Sequence, residues 1–334
     1  MDGDLTMSAR ELPYREAIRE AIQIEMQRDP DVFIMGEDIG SYGGIYKVTK
    51  GLYEEFGPER VMDTPISEAG FVGAAIGAAM VGKRPIVELM FMDFSLVAAD
   101  QILNQAGKQR FMSGDDFRVP MTIRTQQGAG GGVGAQHGQS LEALFMHIPG
   151  FAIALPSTAA DAKGLMATAI RMDDPTMFIE HKTLYAEKDP VPEGEYLIPF
   201  GKAAIRTEGS DITLISYSAS MLPTLKAAEL LKTNHGINAE VIDLRTIVPV
   251  DWATLTASVM KTGHGIVIHE AHRRGGVGAE IAAELTQRTW GTLAAPIARI
   301  GGLDIPIPFS PSLEAVWHIQ PEDIVNTALR TLKK

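Results

Sequence analysis

The segment Asp63-Thr64-Pro65-Ile66-Ser67-Glu68 sets a carboxylate at the head of AGFVGAAIGAAMVG, an uncharged run of glycine, alanine and apolar residues. Ser67 is of the type that caps helices, and Glu68 falls in the first turn, where the helix dipole favours an anion. A helix of this composition has no polar face, so the sequence predicts it to be buried and closely packed. A carboxylate entering a buried region needs a partner. Two readings stand side by side: Glu68 is only a good helix start, or it is an acid–base group aimed at a ligand ring nitrogen.

A second stretch, Gly128–Ser140, holds six glycines among its 13 residues and ends in Gln136-His137-Gly138-Gln139. Glycines let a backbone approach something closely, and a His between two amides at a loop tip favours function over packing. Gly130 to Ala135 also satisfies a G-x-G-x-x-A dinucleotide pattern after a strand-like run. No acidic residue follows at the ~20-residue spacing that would hold a ribose. An NAD-dependent oxidoreductase is therefore the weaker alternative.

Two other patterns nearly match. GAAMVGKR (Gly77–Arg84) has the glycines and lysine of a phosphate loop, but Arg84 stands where Ser or Thr must reach magnesium. It also leads from helix to strand, the wrong order for a phosphate cradle. HEAH (His269–His272) is one residue too short to aim two imidazoles at one zinc ion, and a structural role is expected.

Short β-branched or apolar runs must position these groups: VFIM (32–35), IVELMF (86–91), VPMTIR (119–124), AIAL (152–155) and MFIEH (177–181), separated by helical patterns. That alternation predicts a parallel sheet covered by helices. Glu187 to Phe200 holds three prolines, a glycine and five charges and reads as an interdomain linker, with the boundary near residue 195. After it DITLISYS, AEVIDLRTIVP, GIVIHE and PIARIG alternate with helices from Ser220, Asp251 and Gly278. The organisation is thus α/β in two domains: an N-terminal extension 1–11, with acidic MDGDLT ahead of Met7; a first domain 12–186; a linker 187–200; and a smaller α/β domain 201–334.

In 334 residues there is no cysteine, which excludes disulfides, thiolate zinc and a Cys nucleophile. The net charge of -12 argues against nucleic acid or an anionic membrane as partner. The most apolar run, Phe71–Gly82, is shorter than the ~20 residues that span a bilayer. No basic-then-apolar leader opens the chain, so a cytoplasmic protein is expected.

Taken together, DTPISEAGFVGAAIGAAMVGKRPIVELMFMDF, DQILNQAGKQRFMSG, GAQHGQS, DAKGLMATAIR and IEHKTLY resemble the beta subunit of the thiamine diphosphate-dependent first component of 2-oxo acid dehydrogenase complexes, in its pyruvate and acetoin group. The resemblance runs from about Leu12 to the C-terminus. It implies a transketolase-like pyrimidine-binding domain followed by a transketolase C-terminal domain, in an α2β2 heterotetramer that decarboxylates or cleaves its substrate and acylates the lipoyl group of an acyltransferase core.

By the same resemblance Glu68 hydrogen-bonds the aminopyrimidine of the cofactor, Phe94 stacks on that ring, Ile66 supports it through its backbone, and His137 assists proton transfer. A structural potassium ion is implied at Met121, Ala169, Ile170, Met172 and Asp174, of which only Asp174 offers side-chain oxygen. The superfamily's GDG and downstream Asn-Asn, which hold magnesium and the diphosphate, are absent. The alpha subunit must supply them, so this chain is expected to hold half a site and to be inactive alone. The apolar helix from Glu68, with Gly73 and Gly77, is where subunits are expected to meet. A branched-chain 2-oxo acid dehydrogenase beta subunit and a non-catalytic scaffold subunit remain as alternatives. Residues 1–195 carry 17 Lys and Arg against 29 Asp and Glu, and residues 196–334 carry 13 against 13, so all the excess negative charge lies on the first domain.

Overall fold

The structure, a computed structural model, describes residues 9–333. Its strands are β1 (Ala9–Pro13), β2 (Val32–Gly36), β3 (Val61–Asp63), β4 (Arg84–Leu89), β5 (Thr122–Gln127), β6 (Ala152–Ala154), β7 (Thr176–His181), β8 (Lys188–Pro192), β9 (Ala204–Thr207), β10 (Ile212–Ser216), β11 (Ala239–Asp243), β12 (Thr246–Val248), β13 (Gly265–His272) and β14 (Ala298–Gly302). The first sheet runs β12-β6-β7-β5-β4-β2-β3 and the second β14-β13-β10-β11-β9. In the first sheet β6 through β3 are all parallel, and β5 and β7 are buried along their whole length. Helices on both faces leave such strands no solvent side: β7 accordingly carries an apolar run, whereas β5 (TIRTQQ) buries polar side chains, among them Arg124 and Gln126, that are hydrogen-bonded inside the fold.

Three local expectations change. AEVIDLRTIVP is not one strand. Arg245 takes a left-handed backbone (φ 60°), which breaks the run, and the second half crosses to pair antiparallel with β6 of the first domain. The pattern of apolar residues could not distinguish one long strand from two short ones in different sheets.

The stretch read as linker is also structured. Its Lys188–Pro192 pairs with β1, and its Tyr196 and Ile198 lie where any Cβ on Gly164 would meet them at 2.7 Å. The helix Ala159–Arg171 therefore carries a glycine in DAKGL because the connecting chain runs directly over it. Of the segment read as an N-terminal extension, residues 1–8 lie outside the described residues and the rest enters β1.

Finally, the helix Glu68–Met80 is not buried all round. Phe71, Val72, Ala75, Ile76 and Ala79 face the core, whereas Ala69, Gly70, Ala74 and Gly77 are exposed. Small residues on both faces hide the helical period in the sequence. One hydrophobic cluster extends from Phe71 and Val87 through Phe145 and Ile153 to Ile215, Val267 and Ile281, so the two domains share a core.

Candidate active site

Because β2 to β7 are parallel, everything that follows them emerges on one edge of the sheet, the place where ligands bind in open α/β folds. Glu37 follows β2, Glu68 follows β3, Phe91 and Phe94 follow β4, His137 follows β5, and Lys182 follows β7. The sequence singled out Glu68 and His137 from separate motifs and the resemblance added Phe94, and this edge brings all three onto one side of the sheet.

Glu68 is the first residue of its helix and is buried. Ser67 occupies the cap position, but its side chain makes no capping hydrogen bond. Glu37 is buried on the neighbouring strand end with one carboxylate oxygen, Oε1, lacking a partner. Burial, then the nearby Glu68 and Asp38, raise the Glu37 carboxyl above its ordinary range. The side chain of Ile66 is exposed.

His137 meets Phe91 and Phe94 edge-on, at centroid separations of 4.9 and 5.4 Å. Those two rings, from the turn after β4, give the imidazole an apolar wall. Gln139 donates to Asp93 Oδ1 at 2.8 Å, and Asp93 Oδ2 is buried without a partner. Lys182 donates to the carbonyl of His137 at 2.5 Å and to that of Gly128, bridging both ends of the glycine loop. Burial pushes its ammonium down to about 8. Unpartnered buried oxygens also occur on Thr64, Gln127 and Ser140, beside the same strand ends. A concentration of orphaned polar atoms suits a polar heterocycle, which could supply the missing donors and acceptors.

The glycine loop does not present its amides to a phosphate. The amide of Ala129 donates to Glu270 Oε1 at 2.6 Å, and those of Gly130 and Gly132 donate to Glu314 at 2.8 and 3.2 Å. Carboxylates already fill the concavity, which removes the basis of the dinucleotide reading. In HEAH, Glu270 pairs with His181 of the first domain at 2.8 Å and so serves the domain contact, while His269 is buried within its own domain with Nδ1 against the Ala271 carbonyl. Among the described residues no cluster of three or more His, Asp or Glu could hold a metal.

The residues implied for potassium lie on the opposite edge, before β5 and β7. The carbonyls of Ile170 and Met172 accept from Arg84 at 3.2 and 3.0 Å, that of Met121 accepts from the Thr176 amide, and that of Ala169 accepts from the Met172 amide. Arg110 holds both oxygens of Asp174 at 2.6 and 2.7 Å. With two guanidinium groups drawing on these oxygens, the arrangement does not present a cation cage. A cleft of ≈ 730 Å³ lined by Arg110, Phe111, Met172 and Asp174 lies on this edge.

Residues 10–188 match the transketolase pyrimidine-binding domain and residues 201–324 the transketolase C-terminal domain. The chain is 45% identical over 327 residues to the beta-2 subunit of the mitochondrial pyruvate dehydrogenase E1 component of Oryza sativa subsp. japonica, covering 97% of this chain and 87% of that one. It belongs to the family of pyruvate and acetoin dehydrogenase E1 beta subunits. Another member, the beta subunit of acetoin:2,6-dichlorophenolindophenol oxidoreductase from Cupriavidus necator, is 45% identical over 335 residues, 97% of this chain and 98% of that one. A solved split-gene transketolase, an inactive beta4 tetramer, shares the fold with a TM-score of 0.79 at 22% identity over 96% of this chain and 98% of its own. Within this E1 beta fold, sequence reasoning missed Glu37, Lys182, Glu270 and Glu314. Glu37 and Lys182 were findable, since each directly follows a strand of the parallel sheet. Glu314 had no signal, because its partners lie more than 180 residues earlier.

Proposed function

We propose that this chain is the beta subunit of a thiamine diphosphate-dependent pyruvate or acetoin dehydrogenase, carrying the pyrimidine half of a site that an alpha subunit completes. The observation that carries this reading is the buried Glu68 at the head of its helix, on the same sheet edge as the Phe91, Phe94 and His137 cluster. When bound, thiamine diphosphate would supply the nucleophilic carbon that the reaction needs.

Glu68 would hold a proton at its carboxylate toward a pyrimidine ring nitrogen, in a site dry enough to strengthen that bond. Glu37, its carboxyl raised above the ordinary range by burial and by Glu68 and Asp38, sits beside Glu68 on the same edge. Phe94 offers an apolar face, the Ile66 backbone borders the ring, and His137 moves protons at the substrate side with Phe91 and Phe94 excluding water. No GDG or Asn-Asn stands in this chain to hold magnesium and diphosphate, which supports an α2β2 arrangement with those groups on the alpha subunit. Transfer to the lipoyl group of an acyltransferase core and a cytoplasmic location belong to the same proposal, although the rice relative is named as mitochondrial. Potassium is not carried into it. Among the described residues no helix is long and apolar enough to cross a membrane.

Glu68→Gln, co-expressed with the alpha subunit, keeps size and hydrogen bonding but removes the acid–base group. The assembly should elute like wild type, while thiamine diphosphate-dependent turnover of pyruvate or acetoin falls about 10²-fold or more. Turnover close to wild type would overturn the reading.

A further inference from the structure

We infer that Glu270 and Glu314, both on the C-terminal domain, are positioning residues that set the place of His137 by gripping the backbone of the glycine loop. The inference rests on the function proposed above and adds a task for the second domain. Five glycines lie between β5 and His137, and Gly128, Gly130, Gly131, Gly132 and Gly134 all have positive φ. Such a segment has the largest conformational entropy to lose on ordering, and its own side chains can contribute almost nothing to fix it. Something outside the loop must hold it.

The ties come from the other domain. Glu314 receives the amides of Gly130 and Gly132, one on each carboxylate oxygen, and Glu270 receives that of Ala129 on Oε1. The second oxygen of Glu270 takes His181 Nε2, whose other ring nitrogen lies 2.8 Å from the Thr183 hydroxyl, so the strand end next to Lys182 is held by the same carboxylate. Ala129, Ile307 and Trp317 form a small buried cluster that closes over the loop. Hydrogen bonds from amides to a carboxylate are about twice as strong as neutral ones, so three of them can order a loop whose own packing is limited chiefly to Ala129. A Cβ on Gly128 would sit 1.9 Å from His181 Nε2, and one on Gly130 would sit 2.8 Å from Thr183, which shows how closely the backbone is drawn down. Lys182 then transmits the fixed loop to the histidine by bonding its carbonyl.

The test uses the chain co-expressed with its alpha subunit, as wild type and as Glu314→Gln and Glu270→Gln. Each amide keeps the shape of the acid but loses its charge and one acceptor oxygen. In hydrogen-exchange mass spectrometry the peptide covering 128–140 should exchange faster in both variants, while peptides of the C-terminal sheet keep wild-type protection. Turnover of pyruvate should fall by about 10²-fold with KM changed less than about twofold, because a histidine displaced by about 1 Å loses transition-state contacts rather than substrate binding. Unchanged exchange in 128–140, or faster exchange with kcat retained, overturns the inference. If even the wild-type assembly turns over neither pyruvate nor acetoin, the proposed function fails, and the exchange measurement alone still decides whether the two carboxylates hold the loop.

Discussion

Arg124 is completely buried on the central strand β5, between Glu180 on β7 and Glu88 on β4. It meets Glu180 through two hydrogen bonds of 2.8 and 2.6 Å and also pairs with Glu88, and the Tyr185 hydroxyl lies 2.6 Å from Glu180. Burial works against the charged guanidinium, but the two carboxylates outweigh it and raise its pKa above the ordinary value, while burial raises the carboxyl of Glu88. Replacing all three groups by apolar residues could be neutral, whereas removing one leaves an uncompensated buried charge. Arg124→Met should therefore lower unfolding free energy by about 3–5 kcal/mol, and adding Glu180→Gln should recover part of it. Urea midpoints of the two variants test this, and equal midpoints for wild type and Arg124→Met would show that the triad contributes nothing.

Glycine has opposite meanings in two helices, and the sequence gives no warning of it. Gly276 precedes the helix Val277–Arg288 with ordinary backbone angles, yet a Cβ there would lie 2.6 Å from His269 and 2.5 Å from the His272 carbonyl. Gly77, inside the helix Glu68–Met80, has open space around it. Gly276→Ala should thus destabilise the isolated chain by roughly 1–3 kcal/mol through overpacking, and Gly77→Ala should stabilise it by about 1 kcal/mol through helix propensity. If the exposed Gly77 face is where subunits meet, the second substitution should also weaken assembly with the alpha subunit, as gel filtration would reveal. A destabilised Gly77→Ala chain would contradict the open face. Strand runs and helix starts near Glu68, Asp251 and Ser220 were legible because each depends on local pattern, and Glu68 and His137 stood out as candidates because each lies in a motif, whereas Phe94 was reached only through the resemblance. The crossing of β12, the strapped linker and the grip of Glu314 were not, because each depends on a contact between distant segments that no local period encodes.

Across the whole molecule, acid should act first on the domain that carries no net charge. His269 lies buried in the C-terminal domain, stacked beside Tyr217, and burial lowers its imidazole from 6.5 to about 4. The unfolded chain takes up this proton near pH 6.5 and the folded chain refuses it until about 4. The stabilising contribution is therefore complete above pH 6.5 and declines as pH falls toward 4, by about 3 kcal/mol in total. Glu270 works in the same sense from a lower start. Burial would raise it, but His181 and the Ala129 amide outweigh burial and hold it below the ordinary carboxylate range, so its share is lost only when pH falls through that depressed value. Because the domains share a core and the loop of His137 hangs from Glu270, loss of the second domain's stability should reach the site. Between about pH 7 and about pH 5 the wild-type chain should lose roughly 2 kcal/mol more unfolding free energy than His269→Gln, measured by urea titration, on the scale of 1.4 kcal/mol per pH unit for one proton. His269→Gln retains a donor for the Ala271 carbonyl but binds no proton, so its stability should change much less over that interval. Equal pH dependence in wild type and His269→Gln would rule out a buried neutral imidazole at this position.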